Sequence, residues 1–216
     1  MTRSPLLKDP TQRSLTLEQR KWTSHKGLSS MVVRACVLLL WVSVAVVVTA
    51  QPCAVNNICF AIDESGSIDA TEFQTESNAV GTIATRIDSI SSSVGITTKY
   101  GAYGFSDRVK LISPLAQLPS LLAAITANTQ TPGATYTGAA LTSCRTLLSS
   151  ASGVRVVVLV TDGVPTDDPG PAAAAIKANN IKLVTVGVGV TATAEALLKS
   201  LSSGPGFYVN ADNFTD

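Results

Sequence analysis

Histidine is almost absent: His25 is the only one in 216 residues, and it lies within the first 50. Once that segment is set aside, no Ser-His-Asp or Cys-His arrangement and no histidine-based zinc site is open to the rest of the chain. There is also no P-loop, no Gly-x-Gly-x-x-Gly fingerprint and no Gly-x-Ser-x-Gly elbow. Gly187-Val188-Gly189, after the apolar run 183–186, is a strand ending in a turn. Enzyme readings lose most of their material here. Basic residues are scarce where they would matter. Seven of the 16 Lys and Arg precede residue 51, against only Asp9 and Glu18 of the 15 acids, so the remainder has 9 bases and 13 acids, a net of −4. Nucleic acid and anionic membranes demand basic patches, and no basic cluster follows residue 51, so neither nucleic acid nor direct lipid binding is expected.

A long hydrophobic run is missing too. The longest apolar stretch, 35–50, is 16 residues, short of the roughly 20 that a membrane span needs. Residues 1–30 are a polar extension. Met31-Val32-Val33-Arg34 places a basic residue before the apolar stretch and Val48-Thr49-Ala50 closes it, so 31–50 reads as a signal peptide cut after Ala50. The extension is unusual before such a signal. A true start at Met31 explains it, and a type II signal anchor is the alternative. The expected location is therefore secreted or extracellular, or else membrane-anchored with the domain outside the cytosol. Residues 51–216 are a normal length for one core.

What the remainder does contain is alternation of strand and helix patterns, the signature of a parallel sheet with helices on both faces. Strands are expected at 58–62, 154–160, 182–188 and 206–209. Helices are expected at 70–87, 118–126, 138–149, 171–179 and 192–201. Segments 100–105 and 109–112, split by Ser106-Asp107-Arg108, suggest an antiparallel edge hairpin. Three loops stand out. Asp63-Glu64-Ser65-Gly66-Ser67 directly follows strand 58–62, offering a carboxylate and two hydroxyls at alternate positions. Gly133-Ala134-Thr135-Tyr136-Thr137-Gly138 precedes a helix, and Thr161-Asp162-Gly163 ends strand 154–160. Ligands in open α/β sheets gather at the carboxyl ends of strands, which directs Asp63 and Asp162 to one edge. Hard oxygen donors of this kind suit Mg²⁺. The plainer alternatives are turn chemistry for the serines and helix capping for Asp162 and Thr135.

Together these segments resemble the von Willebrand factor type A domain, whose metal-ion-dependent adhesion site (MIDAS) takes the form Asp-x-Ser-x-Ser, then Thr, then Asp. The matching positions are Asp63, Ser65 and Ser67, then Thr135, then Asp162. Ala134, where the family often has Gly, removes no ligand. The resemblance runs from about residue 58 to the end and implies a Rossmann-like doubly wound α/β fold, with a mostly parallel sheet and one antiparallel edge strand. It also implies Mg²⁺ or Mn²⁺ as cofactor, one aspartate often acting through water, and an open coordination position for a Glu or Asp of a protein partner, possibly matrix or cell-surface. A family helix after the last strand is expected to be missing beyond Asn210. The alternatives in other classes are a scaffold domain without metal-bridged capture and a metal-assisted hydrolase using Glu64 or Asp167 as base. Glu64, Asp69, Asp107, Asp167 and Asp168 read as solvated loop acids.

Cys53, Cys59 and Cys144 remain after cleavage at Ala50. Cys59 lies four residues before Asp63, roughly 13 Å from the metal edge at ~3.3 Å per strand residue. Cys144 lies nine residues past Thr135, roughly 13 Å at ~1.5 Å per helical residue. The two thiols thus share a depth, either as a Cys59–Cys144 disulfide or as two buried free thiols. Cys53 is left as half of a terminal staple. Asn213-Phe214-Thr215 is an N-glycosylation sequon.

Overall fold

The computed structural model describes residues 55–212. The extension 1–30, the segment 31–50, Cys53 and the Asn213 sequon lie outside them. Six strands form one sheet: β1 (Val55–Asp63), β2 (Thr97–Phe105), β3 (Val109–Ala116), β4 (Val154–Thr161), β5 (Lys182–Val188) and β6 (Tyr208–Ala211). Their order is β3-β2-β1-β4-β5-β6, and every neighbouring pair is parallel except β2–β3. Helices α1 (Ala70–Ser93), α2 (Leu118–Thr126), α3 (Thr137–Leu148), α4 (Gly170–Ala178) and α5 (Ala192–Leu201) flank it. This is the doubly wound, Rossmann-like α/β fold.

Side-chain alternation along buried strands produces two cores. Cys59 and Ala61 on β1, with Val157 and Leu159 on β4, face α3, α4 and α5 through Leu141, Ile176 and Leu198. Ile58, Phe60 and Ile62, with Val158 and Val160, face α1 and α2 through Val80, Ala84, Leu121 and Ile125. Both faces of β1 and β4 are covered, so these strands read as continuous apolar runs. A disulfide joins Cys59 on β1 to Cys144 on α3, with Cα atoms 5.6 Å apart and 85 residues between them in sequence.

The winding direction fixes where the functional edge lies. From β1 the chain leaves to α1 on one face, and from β4 it leaves to α4 on the other. β1 and β4 are neighbours, so their carboxyl ends diverge and open a crevice between them. Asp63 is the last residue of β1, and Asp162 immediately follows β4.

Several elements exceed their expected bounds. α1 continues to Ser93, past Ile87, because Ser91 is buried, takes a 3.4 Å contact from Asn56 Nδ2, and caps the turn by accepting from the Ile96 amide at 2.9 Å. β3 runs through Pro114 to Ala116, which an edge strand tolerates and which coincides with register shifts in its pairing to β2.

Candidate metal centre

Asp63 is fully buried at the end of β1. Its Oδ1 accepts from the Ser65 amide at 2.8 Å and its Oδ2 from Thr161 Oγ1 at 2.5 Å. Ser65 Oγ and Ser67 Oγ are 3.0 Å apart, and Ser67 Oγ donates to Asp162 Oδ1 at 3.0 Å. Residues 95 positions apart in sequence are thus linked in one chain of hydroxyls and carboxylates across the crevice.

The third loop is stitched to both of the others through its backbone. Gly66 N donates to Gly133 O at 3.0 Å, and Thr135 N donates to Thr166 Oγ1 at 3.0 Å. Thr135 O accepts from the Thr166 amide at 2.8 Å. Gly133 lies tight against Asp107, where a Cβ would meet the Asp107 carboxyl carbon at 3.0 Å. The five expected donors therefore fall on three loops that are tied together. Four of them, Asp63, Ser65, Ser67 and Asp162, share a hydrogen-bonded cluster. Thr135 joins through its peptide, and no hydrogen bond of its hydroxyl to the other four is present among the described residues.

Electrostatics mark the same place. Burial pushes the Asp63 carboxyl up to about 6, with the charge on Asp162 adding, against hydrogen bonds from Ser65 and Thr161 that pull it down. Burial also raises Asp162, opposed by the Ser67 hydroxyl. A third carboxyl, absent from the sequence reading, lies beneath them. Glu76 on α1 is fully buried, its Oε1 accepts from the Asp63 amide at 3.2 Å, and its Oε2 has no partner. Burial, followed by the charge on Asp63, drives Glu76 well above the ordinary carboxylate range. Its only signal in sequence is an acid at a position three past Phe73, on the apolar face of a helix.

Asp63 and Asp162 are the two acids among the five expected donors, and their two carboxylates could balance one divalent cation. Among the described residues no three His, Cys, Asp or Glu side chains gather as a metal cluster. The set has two carboxylates and three hydroxyls, all hard oxygens, which fits Mg²⁺ or Mn²⁺ better than metals that prefer nitrogen or sulfur.

The loop acids divide. Asp107 and Asp168 are exposed. Asp69 caps α1, accepting from the Thr71 and Glu72 amides at 2.7 and 2.9 Å, while Glu72 reciprocates to its amide. Asp167 accepts from the Gly138 and Ala139 amides at the start of α3. Glu64 corrects the sequence reading outright. It is fully buried and bonded to Lys110, Asn128 and Thr131.

Residues 57–216 match the sequence profile of the von Willebrand factor type A domain. A comparison with curated proteins finds no match. Among solved structures, the chain is similar to proximal thread matrix protein 1 from the mussel byssus, at 21% identity and TM-score 0.63 over 76% of this chain and 43% of that one. Another structure of the mussel protein, at TM-score 0.64, has zinc in its MIDAS motif. The pilus adhesin SpaC of Lactobacillus rhamnosus GG is similar at 17% identity and TM-score 0.63, over 77% of this chain and 29% of that one. The von Willebrand factor domain of the type V pili tip protein Mfa5 of Porphyromonas gingivalis aligns at 11% identity and TM-score 0.62, over 75% of this chain and 90% of that one. The chain spans less than half the length of the mussel protein. At these identities the likeness shows the fold.

Proposed function

The chain belongs to the von Willebrand factor type A domain family, and on that premise we propose that it captures a protein partner through a divalent cation. Asp63, Ser65, Ser67, Thr135 and Asp162 would hold Mg²⁺ or Mn²⁺, which supplies a Lewis-acidic point able to accept a Glu or Asp oxygen from the partner. The observation that carries this reading is the Ser65–Ser67–Asp162 chain of 3.0 Å contacts beside the buried Asp63. It brings two carboxylates and two hydroxyls to the one crevice where a doubly wound sheet binds ligands.

The chain's own residues do three things there. Thr161 and the Ser65 amide orient Asp63. The stitched loops present the hydroxyls without adding charge, leaving a held cation electrophilic. Glu76 holds the Asp63 amide from beneath, and its burial favours the uncharged form of its carboxyl.

Both acids that a hydrolase reading would use as base are engaged in the structure. Glu64 is saturated by its donors, and Asp167 is engaged by the first amides of α3. An extracellular setting agrees with the 31–50 segment read as a signal peptide. Among the described residues no helix is long and apolar enough to cross a membrane.

The test is capture of extracellular proteins by the full chain in Mg²⁺ against EDTA. We expect binding that EDTA removes and that Asp162→Ala abolishes, since that variant deletes one of only two charged donors. Capture unaffected by both would mean a scaffold that contacts partners elsewhere.

A further inference from the structure

Glu64 sits between two of the site's oxygen donors, yet its side chain serves a different set of partners. It is fully buried, and its Oε1 accepts from Asn128 Nδ2 at 2.9 Å. Its Oε2 accepts from Thr131 Oγ1 at 2.6 Å, the Thr131 amide at 3.0 Å and Lys110 Nζ at 3.1 Å. Lys110 Nζ donates onward to Thr129 O at 2.7 Å. Three of the four bonds to Glu64 thus come from 128–131, the run that leads directly to Thr135.

That run is fastened to the Asp63 loop at other points. Gln130 Nε2 donates to Ser65 O at 3.3 Å and to Ile68 O at 2.8 Å, and Gly66 N donates to Gly133 O. β2 leaves the space that Glu64 occupies: a Cβ on Gly104 would collide with Glu64 Oε1 and lie 2.6 Å from its Cδ. A buried carboxylate is tolerated only while its lone pairs are engaged. Moving the 128–133 run away would leave these buried lone pairs without three of their four donors, so the carboxylate selects one placement of the run.

The geometry points to Glu64 as a positioning residue. It locks 128–133 against the Asp63 loop, so that Thr135 is delivered at a fixed place beside Asp63, Ser65, Ser67 and Asp162. This rests on the metal-site reading above and adds what presets that site. Lys110 offsets the formal charge of Glu64, so the means is its set of hydrogen-bond acceptors and not a field acting on the cation.

The experiment is calorimetric titration of the full chain with magnesium alone, well below the unfolding temperature of each variant. Glu64→Ala removes every acceptor and is expected to lower magnesium affinity roughly tenfold or more, as loss of an outer-shell partner does. It should also speed hydrogen exchange at the Thr131 and Gly66 amides of the metal-free protein. Glu64→Gln keeps an acceptor for Thr131, and its new amide can pair with a turned Asn128, so its affinity should stay close to that of the unaltered chain. If the alanine variant does not fold, Thr131→Val deletes only the 2.6 Å bond and should carry a smaller loss in the same direction. Unaltered affinity in a folded Glu64→Ala or in Thr131→Val would overturn the assignment, leaving a purely structural ion pair. So would a glutamine variant as impaired as the alanine one, which would make the role one of charge. No magnesium uptake by the unaltered chain would instead defeat the site reading itself, and this assignment with it.

Discussion

Asp63 bears two conflicting demands: the proposed cation site calls for its carboxylate, yet its place at the end of β1 is closed to water. Burial raises it from 3.8 to about 6, a gap worth roughly 3 kcal/mol between protonation states. For a raised acid the sign runs against the usual pattern. Below 3.8 the folded and unfolded chains both keep the proton, and Asp63 contributes no difference. Between 3.8 and about 6 the folded state binds more protons, so stability falls as pH rises, and above about 6 the loss is complete. Glu76, also raised, acts in the same direction. We therefore predict that in EDTA the thermal midpoint rises when the protein is taken from about pH 7 to about pH 5. Saturating magnesium, by favouring the carboxylate, should reverse that slope, with apparent affinity falling as pH drops through the Asp63 transition. A midpoint that falls on acidification in EDTA would contradict the burial of an unpaired carboxyl. That Asp63, Ser65, Ser67 and Asp162 share one sheet edge was legible in sequence, because Asp-x-Ser-x-Ser is local and strand ends are easy to locate. Glu64 was not, because it lies inside that same motif while its burial is decided by Lys110, Asn128, Thr131 and the gap at Gly104, residues 40 to 67 positions away.

Elements were legible where their ends are signalled in the local sequence. α2 and α5 occupy their expected residues, with Pro119 near the start of one and Thr191 capping the other. Ends set by tertiary contact were missed. The serines at the end of α1 are poor helix formers, and the buried Ser91 among them is held by the contact to Asn56; the edge hairpin was expected, but its continuation through Pro114 to Ala116 depends on pairing with β2. The Cys59–Cys144 link belongs to this scale, since it clamps the central strand to the helix that begins just after Thr135. Closing a loop of that length constrains the unfolded chain, and its removal typically costs about 2–5 kcal/mol. We predict a loss of that size on urea unfolding of the Cys59→Ala/Cys144→Ala protein. Non-reducing peptide mapping of the unaltered chain should recover the two cysteines in one linked species. Two cysteines that alkylate freely after unfolding without reductant would remove the clamp.

At the scale of the whole molecule the class of fold was the most legible property, because strands buried on both faces and alternating with helices have few other arrangements. Strand order was not legible, yet it is what puts the ends of β1 and β4 side by side. The consequence is thermodynamic. The five proposed donors span a hundred residues of chain and come to one edge only in the folded state, so a cation held there would bind the folded protein and find little to bind in the unfolded one. Linkage then requires stability to grow with the logarithm of free cation, by about 2.7 kcal/mol at a hundred times the dissociation constant and about 1.4 kcal/mol for each further decade. We predict that the thermal midpoint of the full chain climbs steadily with free magnesium or manganese above that constant. Potassium chloride at matched ionic strength should not reproduce the climb, because screening acts on surface charge and cannot replace a ligated ion. Asp162→Ala should flatten the magnesium curve while leaving the midpoint in EDTA near or above that of the unaltered chain, since it removes a charge that burial disfavours. A midpoint indifferent to magnesium in the unaltered chain would mean that the crevice between β1 and β4 gathers these oxygens without holding an ion.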